Sequence, residues 1–134
     1  MRHHLPVPHR SRLAILLMDL PPELHDAGRR FWSAATGHPV EPDPIEEHWS
    51  SLGSFADGFH LEVQRTGHGT PARWHVDVET DDVGAEVARL VALGATPIED
   101  MGGYWQMKDP AGQVFCVVGV QTGEEFERYA TTWP

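Results

Sequence analysis

An α+β fold with antiparallel strands is what the sequence predicts, on three observations. Residues 72–79 alternate in polarity as a half-buried strand does, with Trp74, Val76 and Val78 on one face and Arg73, His75, Asp77 and Glu79 on the other. From Asp81 the period lengthens to that of a helix, Val83, Val87, Leu90, Val91 and Gly94 forming one stripe with acidic residues at its start. A looser copy of this strand-to-helix step opens the chain, so the sequence divides into two halves near residue 70.

In chain order, Leu13 to Asp19 is apolar on both faces and suits a central strand. Pro21 and Pro22 stand where a helix start accepts proline, Leu24, Ala27, Phe31, Trp32 and Ala35 mark a helical stripe, and Gly37 stops it. The prolines from His38 to Pro44 confine that stretch to a loop with a short edge strand. Trp49 to Phe55 and Phe59 to Arg65 read as strands joined by a turn at Asp57-Gly58, the second showing Phe59, Leu61 and Val63 on one side and His60, Glu62 and Gln64 on the other. Residues 65–71, rich in Gly, His and Thr, link the halves. After the second helix, Thr96 to Glu99, Tyr104 to Lys108 and Gln113 to Gly119 suit strands, and Asp109-Pro110-Ala111-Gly112 has turn chemistry.

This gives an expected organisation of a flexible arm over 1–11, one domain over 12–119 made of modules 12–66 and 72–119, and a tail over 120–134. Phe126, Tyr129 and Ala130 could line one face of a short tail helix. His3, His4 and His9 in the arm are given no functional weight, only adventitious metal binding.

At 134 residues the chain is long enough to bury a core without disulfides. Its formal net charge of −10 argues against nucleic acid and anionic membranes, whose phosphates would be repelled. The apolar run Leu13–Met18 is too short to span a bilayer or serve as a secretion signal. The single Cys116 excludes an internal disulfide and fits a cytoplasmic location. No phosphate loop, Cys-x-x-Cys, His-Glu-x-x-His or Gly-x-Ser-x-Gly motif occurs. Small molecules or other proteins are the expected partners.

The His in the strand at 72–79, the Leu93-Gly94-Ala95 helix end and the Asp109-Pro110-Ala111-Gly112 turn before an apolar strand together resemble the vicinal oxygen chelate superfamily. Within it the closest likeness is to the glyoxalase-like domains grouped with glyoxalase, bleomycin-resistance and dioxygenase proteins. The resemblance implies paired βαβββ modules whose mixed sheets curl around a cup, and a homodimer. It also implies a metal ligand on the first and last strand of each module. Position by position, His75 and Glu62 match, whereas the other two positions fall on Ala14 and Cys116.

Glu62 and His75 are therefore the candidate catalytic residues, with His60 and Asp77 as further polar groups of the cup. A site of Glu62, His75 and Cys116 for a divalent Zn, Ni, Fe, Mn or Co is chemically feasible, since thiolate binds zinc well. The metal-free state is preferred, because His75 also suits a hydrogen-bonded cavity histidine and Cys116, between Phe115 and Val117, a small buried hydrophobe. Glu62 suits a general base raised by desolvation, or equally a carboxylate neutralised by His75 or His60. Trp49, Tyr104 and Trp105 are the candidate walls of a ligand pocket, while Trp74 and Trp32 belong to helix packing.

The leading expectation is a glyoxalase-like protein that binds a small organic molecule, with lyase or isomerase activity open. The alternative is a metal-free binding protein sequestering a toxic or aromatic compound. Glyoxalase I activity is disfavoured by the two departed ligands, and extradiol dioxygenase activity by those and by chain length.

Overall fold

The computed structural model describes residues 7–134. The chain divides into two compact units, Ile15–His75 and a second made of Val76–Pro134 with the N-terminal residues up to Ala14. Strands β1 (His9–Leu20) and β5 (Arg73–Thr80) each run from one unit into the other.

In the unit Ile15–His75 the order is β1, α1 (Pro22–Thr36), β2 (Glu41–Pro42), β3 (Trp49–Ala56) and β4 (Phe59–Arg65). β2 and β3 pair antiparallel, as do β3 and β4, and β4 lies parallel to β1, which makes a mixed sheet ordered β2-β3-β4-β1. Gly37 ends α1 in the left-handed conformation, φ 76°, and its N–H bonds to the Ser33 carbonyl. Met18, Leu20, Leu52, Leu61 and Val63 form the core, with Leu16, Trp32 and Val40 packed on it.

The α1 stripe expected from the sequence is rotated away from this core. Leu24 and Phe31 are exposed, and the inward residues are His25, Gly28 and Trp32. Gly28 explains the rotation, since a Cβ there would stand 2.6 Å from Leu20 Cδ1, so the helix lies closest to the sheet along its glycine. Trp32 meets Trp74 edge to face at 5.3 Å, which places Trp74 in helix packing as expected.

The other unit repeats the order with part of β5, α2 (Val83–Ala92), β6 (Thr96–Asp100), β7 (Trp105–Lys108) and β8 (Val114–Gly119). β8 runs parallel to β5 and antiparallel to β7, which pairs antiparallel with β6. Two βαβββ modules, each with a mixed sheet, bear out the α+β class. Asp82 caps α2 by accepting a hydrogen bond from the Ala85 N–H at 3.0 Å, a contact worth about 1 kcal/mol. Val83, Val87 and Leu90 of α2 pack on Val78, Met107, Phe115 and Val117. The Asp109 carboxylate accepts from the N–H groups of Ala111 and Gln113, fixing the turn into β8.

One boundary differs from expectation. The arm was expected to reach residue 11, but β1 starts at His9, and His9–Ser11 pair antiparallel with β9 (Thr131–Trp133). The tail forms α3 (Glu124–Tyr129), in the place where the sequence allowed a short helix, followed by β9. The cause lies in its side chains: Phe126 is buried, Trp133 donates to Ser11 Oγ at 2.8 Å, and the Arg89 guanidinium stacks over the Trp133 ring at 3.8 Å. His3 and His4 lie outside the described residues. Among the described residues, no helix is long and apolar enough to cross a membrane.

Candidate active site

Alternation along β1 and β4 sorts the unit Ile15–His75 into two faces. Leu16, Met18, Leu20, Leu61 and Val63 meet α1. The opposite face therefore carries Ile15, Leu17 and Asp19 beside His60, Glu62 and Gln64, in that pairing. From β3, Trp49 adds itself beside Gln64 and Ser51 beside Glu62. His60 and Glu62, two of the polar positions read from the sequence, thus share one face of this sheet.

A cavity of about 210 Å³ lies at the edge strand β2 and its proline-rich continuation. Glu41, Pro42, Asp43, Pro44, Trp49, Ser50, Ser51 and Glu62 line it. Asp43 accepts hydrogen bonds from the N–H groups of Glu46 and Ile45, at 2.8 and 2.9 Å, and these hold its carboxyl below the usual range. Three carboxylates and an indole give the lining an affinity for neutral or cationic groups and a bias against anions. Trp49 and Glu62 both line this cavity. His60 shares the face but is not among the lining residues; its Nδ1 lies 3.3 Å from Ser54 Oγ.

His75, 6 % exposed, is held by a residue that the sequence reading passed over. Its Nδ1 stands 2.8 Å from Asp19 Oδ2, and the Asp19 side chain is itself 4 % exposed. Arg73 Nε adds a longer contact to the same oxygen at 3.3 Å. Gln64 completes the group in the amide orientation that satisfies both its neighbours, its nitrogen donating to Asp19 Oδ1 at 3.1 Å and its oxygen accepting from Trp49 Nε1 at 3.2 Å. A carboxylate that closes an otherwise apolar strand was the available signal for Asp19.

In the other unit, Asp77 and Cys116 are cross-strand partners on β5 and β8, and both are buried. Tyr104 lies just ahead of β7, where its carbonyl accepts from the Met101 N–H. Trp105 was expected to wall a pocket; it packs instead on the core of Val78, Met107, Phe115 and Val117, because alternation along β7 puts it on the same face as the buried Met107.

A family model described as a glyoxalase-like domain matches residues 17–118. The chain belongs to the glyoxalase-like domain family. Its resemblance to the vicinal oxygen chelate superfamily is thereby borne out. Among solved structures, one titled as an NAD-dependent benzaldehyde dehydrogenase from Legionella pneumophila shares the fold with TM-score 0.59 at 8 % identity, over 80 % of this chain and 98 % of that one. The Mn(II)-bound glyoxalase from Novosphingobium aromaticivorans gives TM-score 0.54 at 17 % identity, over 84 % of this chain but 40 % of the other. A methylmalonyl-CoA epimerase from Streptomyces coelicolor, in complex with 2-nitronate-propionyl-CoA, gives 0.51 at 18 % identity over 84 % and 99 %. At these identities the likeness is one of fold. Among curated proteins, none matches the sequence.

The family's metal can be tested against these residues. Ala14, fully buried, offers a methyl group where the resemblance calls for a ligand atom, so the four-ligand set does not fit this chain. The remaining donors are Glu62 and His75 in one unit and Asp77 and Cys116 in the other.

Proposed function

We propose that this glyoxalase-like protein binds a small organic molecule in the cavity at β2 and moves a proton on it. One observation carries the reading: Trp49 and Glu62, chosen independently from the sequence as wall and base, line the same cavity. A volume of about 210 Å³ suits a compact molecule or one end of a larger one, being below the usual drug-sized pocket. The acidic lining selects a group that is neutral or positively charged.

The reaction that fits is proton transfer at a carbon next to a carbonyl. Glu62 takes the proton, the C–H bonding pair moves into the enolate, and returning the proton to the same carbon restores a neutral product. Trp49 covers the flat enolate. Atoms balance without any co-reactant, and no step passes through a metal. A fold neighbour titled as an epimerase accords with such chemistry. The second reading is a metal-free binding protein, favoured by the methyl group of Ala14 at a ligand position.

Proton NMR in D₂O separates the two readings. A panel of small uncharged hydroxyketones and hydroxyaldehydes is incubated with the protein, and deuterium wash-in at the carbon beside the carbonyl is followed. The expected result is wash-in that falls about 100-fold or more in Glu62→Gln and is unchanged by a chelator. Ligand-induced quenching of Trp49 with no wash-in would leave binding alone, and neither effect from any compound would overturn the proposal.

A further inference from the structure

We infer that the substrate of the proposed site carries its own positive charge, an organic ammonium group close to its carbonyl, and that Glu41 and Asp43 receive that charge beside Trp49. The inference rests on the cavity and the Glu62 chemistry proposed above, and narrows the ligand from neutral or cationic to cationic.

Strand register assembles the receiving group. Glu41 stands opposite Ser51, and Ser51 opposite Glu62, so these side chains share one face across β2, β3 and β4. Asp43 follows Glu41 after Pro42, and its N–H bonds to the Trp49 carbonyl at 3.0 Å, which sets it beside Trp49 in the lining. The N–H groups of Ile45 and Glu46 on Asp43 Oδ1 hold this carboxylate ionised. Its Oδ2 and the Glu41 side chain make no hydrogen bond among the described residues. No lysine, arginine or histidine is among the lining residues. Glu41, Asp43 and Glu62 do not form a group close enough to share a metal ion, so a broad organic cation suits them better than a compact inorganic one.

The chemistry of the step supplies an independent reason. Glu62 becomes neutral as it takes the proton from carbon, and the C–H bonding pair leaves a negative enolate in the presence of Glu41 and Asp43. With no cationic side chain in the lining, those carboxylates oppose the new charge. An ammonium group on the substrate cancels that charge within the same molecule, and the enolate forms as a net neutral species. The same group pairs with the carboxylates and meets the electron-rich face of the indole. Gln64, whose oxygen accepts from Trp49 Nε1 at 3.2 Å, fixes that ring before a ligand arrives. The proton goes to Glu62 and returns to the same carbon, and nothing is oxidised or reduced.

Matched probes test this. Choline and the uncharged alcohol in which a carbon atom replaces its nitrogen are titrated into the full chain. NMR follows the Trp49 indole N–H, assigned by its loss in Trp49→Phe. Choline should bind about 10-fold or more tighter, and added salt should narrow the gap. The double variant Glu41→Gln with Asp43→Asn keeps an oxygen for the N–H groups that bond to position 43. It should bring the affinities of the two probes within about 3-fold of each other. Equal affinities in the wild-type protein, a preference untouched by the double variant, or no response to either probe would each overturn the inference.

Aminoacetone and hydroxyacetone read the reaction itself. Deuterium wash-in, divided by each compound's own rate in buffer, should favour aminoacetone by about 10-fold or more at about pH 7, and the double variant should remove the advantage. Wash-in that depends on Glu62 but does not favour aminoacetone would sink the inference and leave the proposed function standing. A choline preference with no wash-in from either ketone would remove the proton transfer and keep the assignment of the cavity to a cation.

Discussion

Asp19 and Glu79 occupy matching places in the two modules, yet they are bound in opposite ways. Taking Glu62 and Cys116 as equivalent positions of the last strands, each carboxylate lies two residues beyond the partner of that position on the first strand. Glu79, fully buried, accepts from Arg12 Nε at 2.8 Å, from the N–H groups of Gln121 and Thr122 at 2.9 and 3.1 Å, and from the Thr122 hydroxyl. None of those donors titrates near neutral pH. Asp19 makes its shortest bond to an imidazole, whose hydrogen can shift or leave. The same fold position thus pairs with a guanidinium and backbone donors in one module and with an imidazole in the other. Buried charge alone does not separate the two; the chemistry of the donor does.

The comparison can be broken most forcefully at the anchor. Arg12→Met leaves Glu79 buried beside an apolar side chain, and the expected loss is about 3–5 kcal/mol in urea unfolding, as for other severed buried pairs. A loss below about 1 kcal/mol would show that the backbone donors suffice and that the guanidinium is incidental. Asp19→Asn should cost less, about 1–3 kcal/mol, because the amide keeps one acceptor and one donor in place and the Arg73 side chain, 39 % exposed, can turn to water. Equal losses at the two positions would erase the distinction and make Asp19 an anchor as well.

Much of this was legible from residue pattern. The two modules, the acidic start of α2, the turn at Asp109 and the polar face of β4 all follow from local periodicity and turn chemistry, which depend on neighbours in sequence. What escaped depends on neighbours in space. Asp19 reads as the end of an apolar strand, and its role comes from His75 and Gln64, 56 and 45 positions away. The face of α1 was misjudged because apolarity was counted there, whereas the contact is set by close approach at Gly28. Trp105 illustrates a third case: an aromatic residue on a strand suits a core as well as a pocket, and only the direction of Met107 on the same strand decides it.

A finer form of the comparison uses two buried histidines, one in each unit. His9 Nδ1 faces the Val7 carbonyl at 2.6 Å and Nε2 faces the Glu86 carboxylate at 2.7 Å. Both partners can only accept, so both ring nitrogens carry hydrogen; burial works against that charge, but the two acceptors outweigh it and the pKa is raised. His25 has no partner for Nε2 among the described residues. Its burial, reinforced by the nearby Arg29 charge, lowers its pKa. The signs of their pH dependence are therefore opposed. The contribution of His9 is complete below the unfolded value of about 6.5 and is lost as pH rises through the raised folded value. For His25, stability is complete above about 6.5 and declines as pH falls towards the depressed folded value. Urea unfolding from pH 5 to pH 8 should show His9→Gln flattening the alkaline side of the profile and His25→Leu flattening the acid side. Identical profiles for the two variants would mean that the acceptors around His9 do not hold its charge, and that pairing does not set the behaviour of a buried ring in this fold.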